Sequence, residues 1–168
     1  PELIYNHLKG LQWEHGTQDC YTCLQMFYGD NFGITLTDYA RPHHWWEQGM
    51  NLYMENYKKE GFRILDIEAN ELNQGDVILC AIRAPVANHC AIYLGGGEIL
   101  HHFYGRLSNV ELYKGMWYNT TVAQMRHKDV STELKYQRVE FDDLGRARRD
   151  SSQEFFNLGV QEHTRGAG

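Results

Sequence analysis

Apolar residues recur along this chain first at helical spacing and then at strand spacing. Leu3, Ile4, Leu8 and Leu11 predict a short amphipathic helix running into the turn Trp13-Glu14-His15-Gly16. Asp19 reads as an N-cap, and Cys23, Leu24, Phe27 and Tyr28 then repeat at helical intervals after Cys20 until Gly29-Asp30. Pro42 suits the first turn of a further helix, with Trp46, Met50, Tyr53, Met54 and Tyr57 as its apolar stripe and Gly61 as its stop.

Beyond this point the period becomes that of strands. Leu72-Asn73-Gln74-Gly75-Asp76 reads as a turn into a buried strand, Val77 to Ile82. His89 to Leu94 and Glu98 to Tyr104 flank Gly95-Gly96-Gly97 as a hairpin, and Leu107 to Leu112 and Thr120 to Met125 predict two more strands. Helices followed by an antiparallel meander make an α+β fold, with the N-terminal helices packed on the sheet. The pattern weakens near Lys128, which suggests a domain over 1–128 and a C-terminal extension over 129–168. That extension is strongly charged from Asp142 to Asp150, and its Phe155, Phe156 and Leu158 suit docking on a partner or on the core.

Composition narrows the function classes. A chain of 168 residues with 42% hydrophobic content is long enough for one domain with a real core. Its net charge of −6 argues against nucleic acid as a partner, since phosphate binding needs a basic face. No run of about 18 apolar residues predicts a membrane span, and Pro1-Glu2-Leu3-Ile4-Tyr5 does not read as a signal peptide. The expectation is synthesis in a cytoplasm and release by other means. Four cysteines in a chain of this length do not form a disulfide framework, and free thiols are the default.

One of those thiols is placed for chemistry. A cysteine acts as a nucleophile when ionised, and the unpaired N–H groups at a helix start favour its thiolate. Cys20, following the Asp19 cap, has that position, and its own backbone N–H is free to help hold an oxyanion. A strand must then bring an imidazole to the sulfur, and another polar group must hold that imidazole in its working tautomer. His89 suits the first task. For the second, a three-residue loop at Gly95-Gly96-Gly97 pairs Ala91 with His101, whereas a two-residue loop brings His102 there instead.

Blander readings compete with this one. A cysteine on an apolar helix is ordinarily core, which is the assignment for Cys23; Cys80 and Cys90 are assigned to strand packing. His15, His43, His44, His127 and His163 are expected on the surface or in loops. Cys20-Tyr21-Thr22-Cys23 is also a CxxC, a spacing used for zinc or thiol redox chemistry. A redox site of that kind normally follows a strand, while Gly16-Thr17-Gln18-Asp19 is loop, and a zinc knuckle needs a second close pair that Cys80 and Cys90 do not supply.

Taken in order, Trp13 to Gly16, Asp19-Cys20, Leu72 to Asp76, His89 to Gly95 and His101 resemble the NlpC family of papain-like cysteine peptidases, which cleave peptide stems of bacterial cell walls. Within it, Asp-Cys-Tyr-Thr, Asp38-Tyr39-Ala40-Arg41-Pro42 with Trp45-Trp46, and His-Cys-Ala-Ile-Tyr-Leu are similar to the NlpC-type tail assembly proteins of long-tailed bacteriophages. The resemblance implies a papain-like fold with Cys20 as nucleophile, His89 as general base and acid, and His101, favoured by the family's spacing, orienting His89. It also implies a substrate or oxyanion role for Trp13 and Asp19. The expected reaction is hydrolysis of an amide in a peptidoglycan stem peptide, at a γ-D-glutamyl to diamino-acid bond, without metal or organic cofactor. Expected partners are the wall peptide and other phage tail-tip proteins, with no nucleic acid and no membrane insertion. The place of action is the virion tail at the host cell wall and periplasm. Two departures stand out: Trp13 occupies a position where the family usually has Tyr, and Tyr21-Thr22 replace the usual Ser-Gly. Together with the C-terminal extension they motivate an alternative, a structural tail-tip component whose cleft is occluded or unused.

Overall fold

The computed structural model describes residues 2–68 and 71–130. The expected C-terminal extension lies outside the described residues except for Asp129 and Val130. Helix α1 spans Cys20–Phe32, three residues past the expected stop, because Gly29 sits within the helix and Gly33 caps it. Six antiparallel strands, β1 (Phe62–Ile64), β2 (Val77–Cys80), β3 (His89–Gly95), β4 (Glu98–His101), β5 (Asn109–Leu112) and β6 (Thr121–His127), form one sheet in the order β1-β6-β2-β3-β4-β5. The expected meander is therefore β2 to β5, while β6 returns to the other side of β2 and carries β1 outside it. The chain folds as α+β, with few helices against a six-stranded antiparallel sheet.

The two faces of the sheet are covered differently. Val77, Leu79, Cys90, Ile92, Leu94 and Leu100 pack with Leu24, Phe27 and Tyr28 of α1 in the main core. Ile78, Cys80, Ala91, Tyr93 and Ile99 form a second cluster with Trp117, from the short helix after β5. The alternation follows from the two-residue period of a strand.

Several expectations need correction. The helix over Leu3 to Leu11 reduces to a single 3-10 turn at Asn6–Leu8 that buries Leu8. The long helix from Pro42 to Gly61 is broken into a 3-10 turn, Trp45–Gln48, and a short α2, Leu52–Asn56. Gly49, at φ 78°, adopts a left-handed backbone that an α-helix cannot continue through. The edge strand β1 and the one-turn helix α3 (Met116–Asn119) carry too little periodicity to be predicted. His127 is not at the surface but buried in β6, with its ring edge-on to Phe62.

Two local features fix the parts that carry the polar residues. Gly75 has φ 90°, and a Cβ there would lie 2.8 Å from the Phe32 ring, so Leu72-Asn73-Gln74-Gly75-Asp76 turns against the end of α1 only with glycine. Asp76 then receives both prongs of the Arg126 guanidinium at 2.8 and 2.7 Å, tying the start of β2 to β6. In the β3–β4 hairpin the turn is the two residues Gly96-Gly97, yet Ala91 pairs with His101. A bulge between Tyr93 and Gly95 absorbs the extra residue and restores that register.

Candidate active site

Cys20 is the first residue of α1, and the loop before it is clasped by one carboxylate. Asp19 accepts from the Thr22 backbone N–H at 3.0 Å, the Thr22 hydroxyl at 3.0 Å and the Gly16 N–H at 2.8 Å. The Arg41 Nε donates to it at 2.9 Å, and another Arg41 nitrogen donates to the Gly16 carbonyl at 2.8 Å. Burial raises the Asp19 pKa, but the Thr22 N–H and Arg41 outweigh it and hold the carboxyl below the usual range. With its oxygens so engaged, Asp19 caps the helix and secures the loop, and it also lines the cleft beside Cys20. Arg41, which sequence reasoning quoted only as part of a motif, is the clamp.

The Cys20 thiol is half-buried, with its Sγ 3.3 Å from the Tyr53 hydroxyl of α2. Behind it, the Cys90 Sγ donates to the Cys20 carbonyl at 3.3 Å. The adjacent Cys90 side chain, opposed by burial and reinforced by the His89 imidazole, brings the Cys20 thiol well below its ordinary value. Burial and the neighbouring Cys20 keep the Cys90 thiol protonated, well above the ordinary range. Cys90 thus packs in the sheet, as expected, and also holds the Cys20 carbonyl. Burial likewise pushes Cys23 up to about 12, which suits an inert core thiol. Tyr53, raised by burial and by Cys20, keeps its proton and can donate.

His89 begins β3 and is buried. The loop ahead of it is pinned by Asn88, whose side chain accepts from the Ile82 N–H at 2.8 Å and donates to the Ile82 carbonyl at 3.0 Å. His89 Nε2 lies 2.8 Å from His101 Nδ1, and His101 Nε2 lies 2.7 Å from a Glu111 carboxylate oxygen. His102 turns elsewhere, to the Arg106 carbonyl at 3.0 Å. Burial, with the nearby His89, lowers the His101 pKa to about 4, so this ring is neutral near pH 7. Trp117 packs on both rings, with centroids 5.6 Å from His89 and 4.4 Å from His101.

The sequence motifs point neither to Glu111 nor to a site role for Tyr53. Glu111 was detectable in principle: with Ala91 opposite His101, the next hairpin sets Asn109 opposite His101 and Glu111 diagonally across. Tyr53 was read as part of a continuous apolar stripe, and its contact depends on where α2 lands.

Cys20 and His89 line one cleft with Trp13, Trp45, Trp46 and Tyr104. Trp13 is half-buried there, 4.4 Å from the Tyr104 ring. His15 and His44 sit in loops, as expected, and both also line this cleft, with His15 stacked on His43 at 4.2 Å. His163 lies outside the described residues. Among the described residues no group of three or more His, Cys, Asp or Glu side chains is arranged to hold a metal ion, and no helix is long and apolar enough to cross a membrane.

Known proteins resemble this chain in sequence and in fold. The chain is 40% identical over 122 residues to tail tip assembly protein K of Escherichia phage lambda, covering 73% of this chain and 60% of that protein. It is 35% identical over 117 residues to tail tip assembly protein K of Escherichia phage N15, covering 68% of this chain and 47% of that protein. The chain thus spans about half to three-fifths of the length of these relatives. Its fold is similar to that of a lipoprotein-like NLP/P60 family protein from Staphylococcus aureus, with a TM-score of 0.51 at 19% identity over 72% of this chain and 38% of that one. With residues 9–126 matching the sequence profile of the NlpC/P60 family, through the loop, helix and strands just described, this chain belongs to the NlpC/P60 family.

Proposed function

We propose that this chain is a cysteine peptidase domain of a phage tail-tip protein that hydrolyses an amide bond in the stem peptide of peptidoglycan. The observation that carries this reading is the His89–His101 contact of 2.8 Å in the same cleft as a thiol at a capped helix start. His101, donating its Nε2 proton to Glu111, offers Nδ1 as acceptor to the His89 Nε2–H, which leaves His89 Nδ1 as the basic nitrogen.

In the proposed reaction His89 Nδ1 takes the Cys20 proton, and the thiolate adds to the amide carbonyl carbon. The Cys20 backbone N–H and the Tyr53 hydroxyl donate to the oxyanion, since Tyr53 sits 3.3 Å from the sulfur. Collapse breaks the C–N bond, and the imidazolium returns its proton to the leaving amine. Water, deprotonated by His89, then hydrolyses the thioester and frees Cys20. Tyr53 would supply the phenol that the family usually places at Trp13, while Trp13 and Tyr104, their rings tilted 57° to each other, offer an aromatic wall to the substrate. The proposed bond is the γ-D-glutamyl to diamino-acid linkage, and the place of action is the virion tail at the host wall.

The experiment is digestion of purified wall peptides with the wild-type chain and Cys20→Ala, followed by mass spectrometry of the products. New fragments cut at the γ-D-glutamyl bond and absent with the variant are expected. Undiminished cleavage by Cys20→Ala overturns the assignment, and an inert wild-type chain favours a structural role at the tail tip.

A further inference from the structure

We propose that Glu111 is a positioning residue for the thiol–imidazole pair, acting through His101 to fix the tautomer of His89 and to favour its charged form. This inference rests on the peptidase reading, and it extends the site to a residue on a third strand.

The argument begins with geometry. His101 and Asn109 are direct partners across β4 and β5, and Ile99 faces Glu111, so the Glu111 side chain must run diagonally to reach His101. It does, ending 2.7 Å from Nε2, and the chain of contacts continues for 2.8 Å from His101 Nδ1 to His89 Nε2. Each imidazole is a donor at one nitrogen and an acceptor at the other when neutral. A carboxylate only accepts, so Nε2 of His101 carries the proton and its Nδ1 must accept. His89 is then obliged to carry its proton on Nε2 and to present a bare Nδ1. Without Glu111, either His101 tautomer is available, and the one protonated at Nδ1 would point a proton at His89 Nε2 and strip His89 of its Nε2–H.

Charge adds to this. When His89 takes the Cys20 proton, the new positive charge lies at one end of a row of hydrogen bonds that has a carboxylate at the other. His101 is only 3% exposed and is walled by Trp117, so little water screens the relay at its centre. Glu111, with a side chain 34% exposed, stays in contact with solvent and is spared the penalty of full burial. Around the pair stand Asp19 ahead of α1, Tyr53 on α2 and Cys90 beside His89 on β3, with His15, Arg41, His44, Glu47, Arg83 and His102 lining the same cleft. Among the described residues, Glu111 is the one carboxylate hydrogen-bonded to the His101 ring.

The test compares wild-type chain, Glu111→Ala and Glu111→Gln, measuring the pH dependence of Cys20 alkylation by iodoacetamide beside kcat and KM on wall peptides. Glu111→Ala is expected to move the alkylation midpoint upward and to lower kcat about tenfold to a hundredfold with KM little changed. Glu111→Gln, which keeps an acceptor oxygen and loses the charge, is expected to shift the midpoint less. A folded Glu111→Ala with a wild-type midpoint and kcat overturns the proposal. Should that variant fail to fold, the isosteric Glu111→Gln decides, and an unmoved midpoint there overturns the charge argument. Alkylation reads the thiol whether or not the wall peptide is cut. A shifted midpoint in a chain inert toward wall peptides would therefore fail the peptidase reading while supporting the role of Glu111.

Discussion

Arg41 reaches back 22 residues to bind Asp19, Nε to carboxylate oxygen at 2.9 Å, with both side chains only 6% exposed. This buried ion pair holds the cap of the helix that begins with Cys20, so the stability of the loop and the position of the thiol have a common cause. The same guanidinium also grips the Gly16 carbonyl and lies over the Tyr21 ring at 5.0 Å. Its planar fork suits several acceptors at once, which a lysine ammonium would not.

Removing Arg41 leaves the Asp19 carboxylate buried without its counter-charge. Arg41→Ala is expected to lose about 3–5 kcal/mol of unfolding free energy, read from urea denaturation. Arg41→Lys should recover only part of it. The Asp19 pKa is lower folded than unfolded, so this contribution is present above the unfolded carboxyl value and is lost as pH falls through the folded one. Equal stability of Arg41→Ala and wild type at neutral pH would show that the pair does not support the cap.

The Cys90 thiol lies against Cys20, donating to its carbonyl at 3.3 Å, and this makes a separable prediction. Cys90→Ala is expected to raise the pH at which iodoacetamide alkylates Cys20, while Cys90→Ser, which keeps a donor, should not raise it. An unchanged midpoint in the alanine variant would leave the helix start and His89 as sufficient causes.

Tyr53 lies 3.3 Å from the sulfur and keeps its proton, so its hydroxyl is a donor at the place where the oxyanion would form. Tyr53→Phe removes one oxygen and leaves the ring packing on Tyr21 and Trp45. The expected loss is about 10² in kcat with KM nearly constant. A fall in affinity without a fall in kcat would make Tyr53 a wall of the cleft only.

These residues mark what the sequence could and could not convey. The Asp19 cap and the start of α1 depend on neighbours close in the chain, and local chemistry is enough to read them. The hairpin register stays open in the sequence between His101 and His102, because a two-residue turn plus a bulge gives the same Ala91–His101 pairing as a three-residue loop. Arg41, Tyr53 and Glu111 arrive from segments 21, 33 and 91 residues beyond Cys20, as their numbers show. Their contacts exist only once α2 and β5 have packed. The aromatic stripe after Pro42 misled because helical spacing persists through Gly49, where the backbone itself does not.

The Gly75 turn places β2 against α1, and its sequence requirement is strict. Gly75→Ala puts a methyl 2.8 Å from the Phe32 ring and forces φ 90° on an L side chain. The backbone term is about 1–2 kcal/mol, and the overpacking adds about 1–3 kcal/mol unless Phe32 swings away. Phe32→Ala combined with Gly75→Ala should recover the packing part but not the backbone part, which a double-mutant cycle in urea would resolve.

His101 supplies a last prediction through its neutral burial. Its pKa falls from an ordinary 6.5 to about 4 on folding, chiefly by burial and then by the neighbouring His89. Between those values the unfolded chain binds a proton at this position that the folded chain does not, so stability falls as pH drops through the window and is fully present above it. His101→Asn retains a polar partner for His89 and cannot titrate. Its urea midpoint is expected to be lower than wild type near neutrality, because packing on Trp117 is lost. It should also decline less steeply on acidification. His102, whose pKa burial also lowers, contributes the same slope to both chains and cancels in the difference. Parallel pH curves for the two proteins would show that His101 is not held neutral, and the relay from Glu111 to His89 would then lack its middle member.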